Sequence, residues 1–474
     1  MNVQSKPKLI SAIASGCLTV IFSLSVVGCS SKSTEELITV LNQRGDGAYS
    51  AAIDLGSKKD KRAVEPLIAT LQDDSVRLRQ AALMGLQWFD DPRAIKAIVT
   101  TLKDKDSKVR EEAKRKIEFV IGQNYASFAP ALAEMRAENA TTMEPLIALL
   151  KEKLNSEGTS SQQRMIAVLG QTKDSRAIEP VLKALNSSDA DLRNAAIGAL
   201  GNIGDKPATE ALIRAFAQSS PEEQEAIAIA LGTTNQPGAI DTLLSAVNKS
   251  TPAKQKAAIA GLGKTKDPRV VAAMIEVLTD PNSSLTAEAR AALASIGTIG
   301  VEPLIAILQN DDPLVRQQAA IALGDISDRK AIGPLSKNLT DWFSNQAVAQ
   351  ALMKLNWQPE STQDSVHLLI GKRQREKLQD QWEVTKKVLL DDVGSGNPNT
   401  ITNALFTFIS LGRQEVVPAL IEKLNSQGNK EMALAYLNSG QSQLSAAAEA
   451  WAARNGYRIY RSSTAQPTVT WGAM

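Results

Sequence analysis

Apolar residues recur along this chain in short helical stripes separated by polar turns. Ala63, Val64, Leu67, Ile68 and Leu71 form an i, i+4, i+8 stripe beside an i+1, i+5 stripe. Val315, Ala319, Ala322, Leu323 and Ile326 share one face of a second kind of helix. The phrase Ala63-Val64-Glu65-Pro66-Leu67-Ile68 returns as Ala177-Ile178-Glu179-Pro180-Val181-Leu182 and as Val301-Glu302-Pro303-Leu304-Ile305. The Pro66 column continues at Ala97 and resumes at Pro145, Pro180, Ala211, Thr242, Ala273, Pro303 and Pro334, with a last instance at Pro418. From Pro180 to Pro334 the steps are 31, 31, 31, 30 and 31 residues, which defines a repeat of two helices. One hairpin cannot bury its apolar stripe alone, whereas stacked hairpins bury a continuous core.

The punctuation agrees with that reading. Asp91-Pro92 and Asp267-Pro268 are N-cap and N1 pairs opening first helices. Ser220-Pro221, Thr251-Pro252, Asp280-Pro281 and Asp312-Pro313 are expected to open second helices in the same way. Ser33 with Glu36, and Ser220 with Glu223, have capping-box spacing. Leu-Gly pairs at Gly170, Gly201, Gly232, Gly263 and Gly324 are expected to close second helices through a left-handed exit. The expectation is an all-α fold, an α-solenoid of about twelve two-helix repeats over residues 34–440.

Two stretches break the period. Ala97 to Pro145 is 48 residues, and Tyr125, Phe128, Pro130 and Met135 point to an added ordered helix near 123–141. Pro334 to Pro418 is 84 residues, which leaves room for one hidden unit containing Val384–Leu390 and for an insertion near 359–381. The Gly371–Lys377 run in that insertion reads as a solvated basic face, or as a local contact for an acidic partner or a lipid headgroup. Residues 441–460 read as a terminal cap, with a short strand at Tyr457–Tyr460, and 461–474 as a disordered tail.

The motif Ala-Ile/Val-Glu-Pro-Leu-Ile, then Asp-Asp-x-x-Val-Arg-x-x-Ala-Ala, then Leu-Gly is clearest in Ala63–Leu86 and Val301–Gly324. It resembles HEAT repeats, specifically the short type named after the phycobilisome lyases. The resemblance implies a ladder between repeats, formed by turn aspartates and second-helix arginines. Arg79, Arg110, Arg193 and Arg316 take that role, and Gln162, Gln224 and Gln255 interrupt it, so the middle of the array is expected to be more pliable.

The N-terminus carries a second resemblance. Lys6 and Lys8 precede an apolar stretch from Leu9 to Val27, and Val26-Val27-Gly28-Cys29 resembles the lipobox of bacterial lipoproteins. That implies a signal peptide over 1–28, cleavage before Cys29, lipid on its sulfur and a short tether over 29–33. The implied location is a cell membrane or outer membrane, lipid-anchored, facing the periplasm or the exterior. Cys17 leaves with the signal, so neither cysteine remains for a thiol site or a disulfide.

Charge and composition narrow the function. Of 53 basic residues two lie in the signal, leaving 51 against 51 acidic ones, with no global pull toward nucleic acid. One histidine, His367, offers no partner spacing for a triad or a zinc site. Nothing in the sequence points to an enzyme, a cofactor or a metal. HEAT arrays bind through the face lined by second helices, and the exposed column there is expected at Gln80, Glu111, Gln163, Asn194, Glu225, Lys256 and Gln317, with Arg115 in the most charged unit. This column is mixed in sign and lacks aromatic residues. The expected role is an envelope lipoprotein that binds protein partners. A chromophore-lyase-like accessory, by resemblance, and a purely structural spacer are the alternatives.

Overall fold

The computed structural model describes residues 32–124, 128–138, 143–154, 158–280, 282–461 and 469–473. The signal segment and Cys29 lie outside them. The chain divides into two compact units, up to Leu146 and from Ile147 onward. Twenty-eight α-helices are present among the described residues. Each unit is a stack of helix hairpins, as the periodicity predicts, and the second adds a two-stranded sheet near its C-terminal end.

The first unit opens on helix Thr34–Asn42, held by the Ser33–Glu36 capping box, both halves of which form. Asp60 then caps a 3-10 turn, Lys61–Ala63, that feeds helix Val64–Thr70. Pro66 therefore sits in the first turn, where its missing N–H has no intrahelical acceptor to lose. Helix Val76–Leu86 returns across it. The expected extra helix in the first irregular stretch is Phe128–Glu138, with Phe128, Leu132 and Met135 buried.

The Leu-Gly pairs have a different role from the expected one. Gly170, Gly201, Gly232 and Gly324 lie inside their helices, which run on for two more residues. The left-handed exits fall three residues after these glycines, at Lys173, Gly204, Asn235 and Ser327. The glycines let consecutive second helices touch. A Cβ on Gly170 would lie 2.5 Å from the Cα of Ala199, and one on Gly56 would lie 2.5 Å from the Gly85 carbonyl oxygen. Gly263 is a C-cap in right-handed conformation, so it too departs from the expectation.

Three further expectations are corrected in the second unit. The helix expected from Asp280-Pro281 begins at Thr286, and Pro281 lies outside the described residues. Ser220 forms no side-chain cap: its side chain bonds the Glu222 carboxylate, and the Glu223 side chain pairs with Arg193. The tail beyond 461 is not wholly structureless: strand β1 (Tyr457–Arg461) pairs antiparallel with strand β2 (Val469–Ala473).

The second irregular stretch is built into the core. Helices Thr362–Gly371 and Arg375–Asp380 bury Val366, Ile370 and Leu378, and the hidden unit is helix Trp382–Val393. Helix Pro398–Leu411 then returns to the turn before Asn345. Thr400 Oγ1 donates to Thr340 Oγ1 at 3.0 Å, and Phe406 stacks on Trp342 at 5.1 Å. The cap helix Ser442–Arg454 closes the same core through Leu444, Ala448 and Trp451, and Trp451 stacks on Tyr457.

Candidate functional site

The ladder column is set by a fixed offset: each member lies seven residues before a buried core position such as Leu86, Leu200 or Leu323. In the first unit Arg79 donates Nε and Nη2 to the two oxygens of Asp104, each at 2.9 Å. Its Nη1 donates to the carbonyls of Asp73 and Asp74 in its own turn, at 2.8 and 3.1 Å. One guanidinium thus ties a turn to the next repeat. Burial raises the pKa of Asp104, but the hydrogen bonds from Arg79 and from the Asp106 N–H outweigh it and hold the carboxyl below its usual value.

The second unit repeats this design with variations. Arg316 donates Nε and Nη2 to Asp341 at 2.8 and 3.1 Å, and Nη1 to the carbonyls of Asn310 and Asp311. Arg193 pairs with Glu223 at 2.7 Å. Three of the four expected arginines, Arg79, Arg193 and Arg316, therefore form the ladder, with carboxylates from the following repeat, whereas Arg110 bonds only carbonyls of its own turn. The neighbouring turn acids do other work: Asp312 caps its helix through the Leu314 N–H, and Asp73 accepts from Ser75 and Arg44. Arg110 donates to the carbonyls of Asp104 and Lys105. Gln162, Gln224 and Gln255 each keep one backbone carbonyl bond, to Leu154, Ser219 and Val247 respectively. At Asn345 the column ends in a neutral rung, with Nδ2 donating to Asn403 Oδ1 at 3.0 Å.

A second series of ion pairs lies on the edge where repeats are joined. Asp60, Asp91, Asp174 and Asp267 each cap a first-helix start through the N–H two residues on, and each also accepts from the arginine side chain there. Arg62, Arg93 and Arg269 reach on to Glu35, Glu65 and Asp241 of the preceding repeat. The hydrogen bonds from Arg93 and Arg176 hold Asp91 and Asp174 below the usual carboxylate range. Sequence reasoning saw the caps at Asp91 and Asp267 and missed the pairs. The signal was Asp-x-Arg recurring in register with the repeat.

The expected binding column divides between the units. In the first, Glu111 and Arg115 are exposed, and Gln80 is half-buried with Nε2 donating to the Lys108 carbonyl at 3.4 Å. Glu111 pairs with Lys114 at 2.8 Å, and Arg115 with the buried Glu112. In the second, Asn194, Glu225 and Lys256 are exposed, while Gln163 and Gln317 are half-buried. Lys256 pairs with Glu288 at 3.1 Å. His367 is buried, its Nε2 2.8 Å from Asp392 Oδ2, which ties the insertion to helix Trp382–Val393. This agrees with a structural histidine.

The exposed apolar groups stand beside the column. Leu314 is 62% exposed and Phe343 58% exposed. Each lies nine residues before the matching core leucine, Leu323 and Leu352, so they share one position in consecutive repeats. Arg316 and Asp341 lie next to them in sequence, so this apolar step borders a complete rung. Among the described residues, no group of three or more His, Cys, Asp or Glu side chains is placed to hold a metal ion. Among them too, no single helix is long and apolar enough to cross a membrane.

Stacked helix hairpins with an arginine ladder and glycine contacts between second helices define a repeat protein of the HEAT class. The family described as HEAT repeats matches residues 34–118, 143–226, 209–294 and 301–371, and the chain belongs to it. No curated protein matches the chain. Among solved structures it is similar to an engineered protein, with 20% identity and a TM-score of 0.31 over 80% of this chain and 98% of that one. It is also similar to Kap95p, in the structure where Kap95p binding induces the switch loops of RanGDP to adopt the GTP-bound conformation. There identity is 12% and the TM-score 0.36, over 90% of this chain and 63% of that one. Kap121p bound to Ste12p gives 12% identity and 0.31 over 93% of this chain and 54% of that one. The chain thus spans less than two thirds of either karyopherin chain.

Proposed function

We propose that this chain is a non-enzymatic protein-binding scaffold held at a cell-envelope membrane by lipid on Cys29. The observation that carries the binding role is the apolar step at Leu314 and Phe343. Two large side chains more than half exposed, at the same position of adjacent repeats, offer a partner apolar surface whose burial is favourable. HEAT-repeat membership supports a binding array, and the neutral, mixed-sign exposed column suits a protein partner better than a nucleic acid. The lipid anchor rests on the sequence: Lys6 and Lys8, the apolar stretch from Leu9 to Val27, and the Val26-Val27-Gly28-Cys29 run.

The test is crosslinking in cells before fractionation, on wild type, Cys29→Ala and a Leu314→Ser/Phe343→Ser variant. The scaffold reading expects wild type in membranes with a discrete crosslinked protein. Cys29→Ala should lose the membrane, and the double variant should lose the partner while remaining in membranes. Membrane association independent of Cys29 would overturn the anchor. An unchanged crosslink in the double variant would overturn the apolar step. Deleting 359–381 cannot separate a docking protein from a spacer, since Val366, Ile370 and Leu378 belong to the core.

A further inference from the structure

The Gln255 rung is a ladder position with its carboxylate present and its arginine missing. In both bidentate rungs the acid lies 25 residues after the arginine, at Asp104 for Arg79 and Asp341 for Arg316. Counting 25 from Gln162 gives Ser187, and from Gln224 gives Lys249, so those rungs have lost both members. From Gln255 the same count gives Asp280.

Asp280 shares the local turn bond of the occupied acid Asp104, although it is exposed where Asp104 and Asp341 are largely buried. Its Oδ1 accepts the N–H of Asn282 at 2.9 Å, as Asp104 Oδ1 accepts that of Asp106 at 2.8 Å. In the occupied rung the two oxygens then take a guanidinium. Here Gln255 turns back to the Val247 carbonyl and reaches neither Asp280 nor the carbonyls of Lys249 and Ser250, the positions that arginine Nη1 grips elsewhere. Between Gln255 and Asp280 lies a cleft of about 470 Å³; the clefts at the occupied Arg79–Asp104 and Arg193–Glu223 rungs measure about 320 and 430 Å³. Glu276 adds a second carboxylate to its wall, beside Asn282, Ser284 and Leu285, and no lysine or arginine lines it.

We infer that this cleft binds an arginine side chain of a protein partner, whose guanidinium completes the rung by a bidentate bond to Asp280 with Glu276 alongside. The inference rests on the protein-binding reading and adds the chemistry of one contact. A planar fork matches the carboxylate geometry already used twice in this chain, whereas an ammonium does not.

The test titrates the full-length chain with acetyl-arginine amide and acetyl-lysine amide, following the backbone amides of Asn282, Ser283 and Ser284 by NMR. Saturable shifts with arginine are expected, with about tenfold weaker binding of lysine. Asp280→Asn should abolish the response. Gln255→Arg should also abolish it, by filling the cleft with its own guanidinium, and should raise Tm. Circular dichroism checks that both variants stay helical; if Asp280→Asn fails to fold, Gln255→Arg decides the matter alone. No saturable shift, equal shifts with lysine, or a response surviving Gln255→Arg would overturn the inference. Crosslinking separates the two readings. A partner captured equally by Gln255→Arg leaves the scaffold standing without this contact. An arginine response with no captured partner leaves the cleft standing without the scaffold.

Discussion

Arg79 and Asp104 lie 25 residues apart, in consecutive repeats, and meet through two bonds of 2.9 Å with Arg79 only 2% exposed. The same guanidinium also satisfies two turn carbonyls. Arg79→Ala therefore leaves a buried carboxylate and two carbonyls without their donor. The expected loss is about 3–5 kcal/mol in urea unfolding. Gln255→Ala removes one carbonyl bond and should cost about 1 kcal/mol. Equal losses at the two positions would show that the rungs are not the ties between repeats that their geometry describes.

The acid side of stability follows from the same carboxylates. Asp91 and Asp174, through their arginine bonds, and Asp104, despite its burial, are held below their usual pKa. A carboxyl depressed on folding adds stability that is fully present above its unfolded pKa, about 4 for aspartate, and is lost as pH falls through the folded value. Urea midpoints should fall steadily below about pH 4. The gap between wild type and Asp104→Asn should be widest at neutral pH and shrink in acid. A gap unchanged at low pH would remove Asp104 from this account.

The repeat, its two helices and the arginine column were legible because they are local: period, caps and one residue type at a fixed offset. What was not legible was the partner of each residue. Asp74 and Asp312 stand nearer to their arginines in sequence than Asp104 and Asp341 do, yet the guanidinium reaches forward to the next repeat. Likewise Leu-Gly read as a helix end because glycine is the usual left-handed exit. The contact of Gly170 with Ala199 is between repeats and leaves no mark within one. The binding column was placed by helical phase alone. Phase gave exposure for Glu111, Asn194, Glu225 and Lys256, but could not show that Lys256 is engaged by Glu288.

Two substitutions in one helix should therefore shift stability in opposite directions. Gly170→Val drives a side chain into the Ala199 backbone and should cost at least about 2 kcal/mol through overpacking. Lys173 holds φ 51, a conformation costing a non-glycine residue about 1–2 kcal/mol. Lys173→Gly relieves that strain and should raise Tm by a few degrees. Thermal unfolding of both variants checks the assignment; a stabilised Gly170→Val would mean the helices have room to spare.

The last rung of the ladder is neutral, and neutrality makes a distinct prediction. Asn345 and Asn403 are both fully buried and share one bond of 3.0 Å, while Asn345 Oδ1 and Asn403 Nδ2 find no partner. A single Asn345→Leu or Asn403→Leu change leaves the other amide buried with nothing to bond, at a cost of about 1–3 kcal/mol. Replacing both with leucine removes every orphaned group at once and should cost less than either single change. The flanking Thr340–Thr400 bond and Trp342–Phe406 stack keep helix Pro398–Leu411 in register meanwhile. A double-mutant cycle in urea reads the difference. Strictly additive losses would mean that the amide pair is not a coupled unit. A double variant as stable as wild type would show that this polar rung contributes register to the array and no net stability.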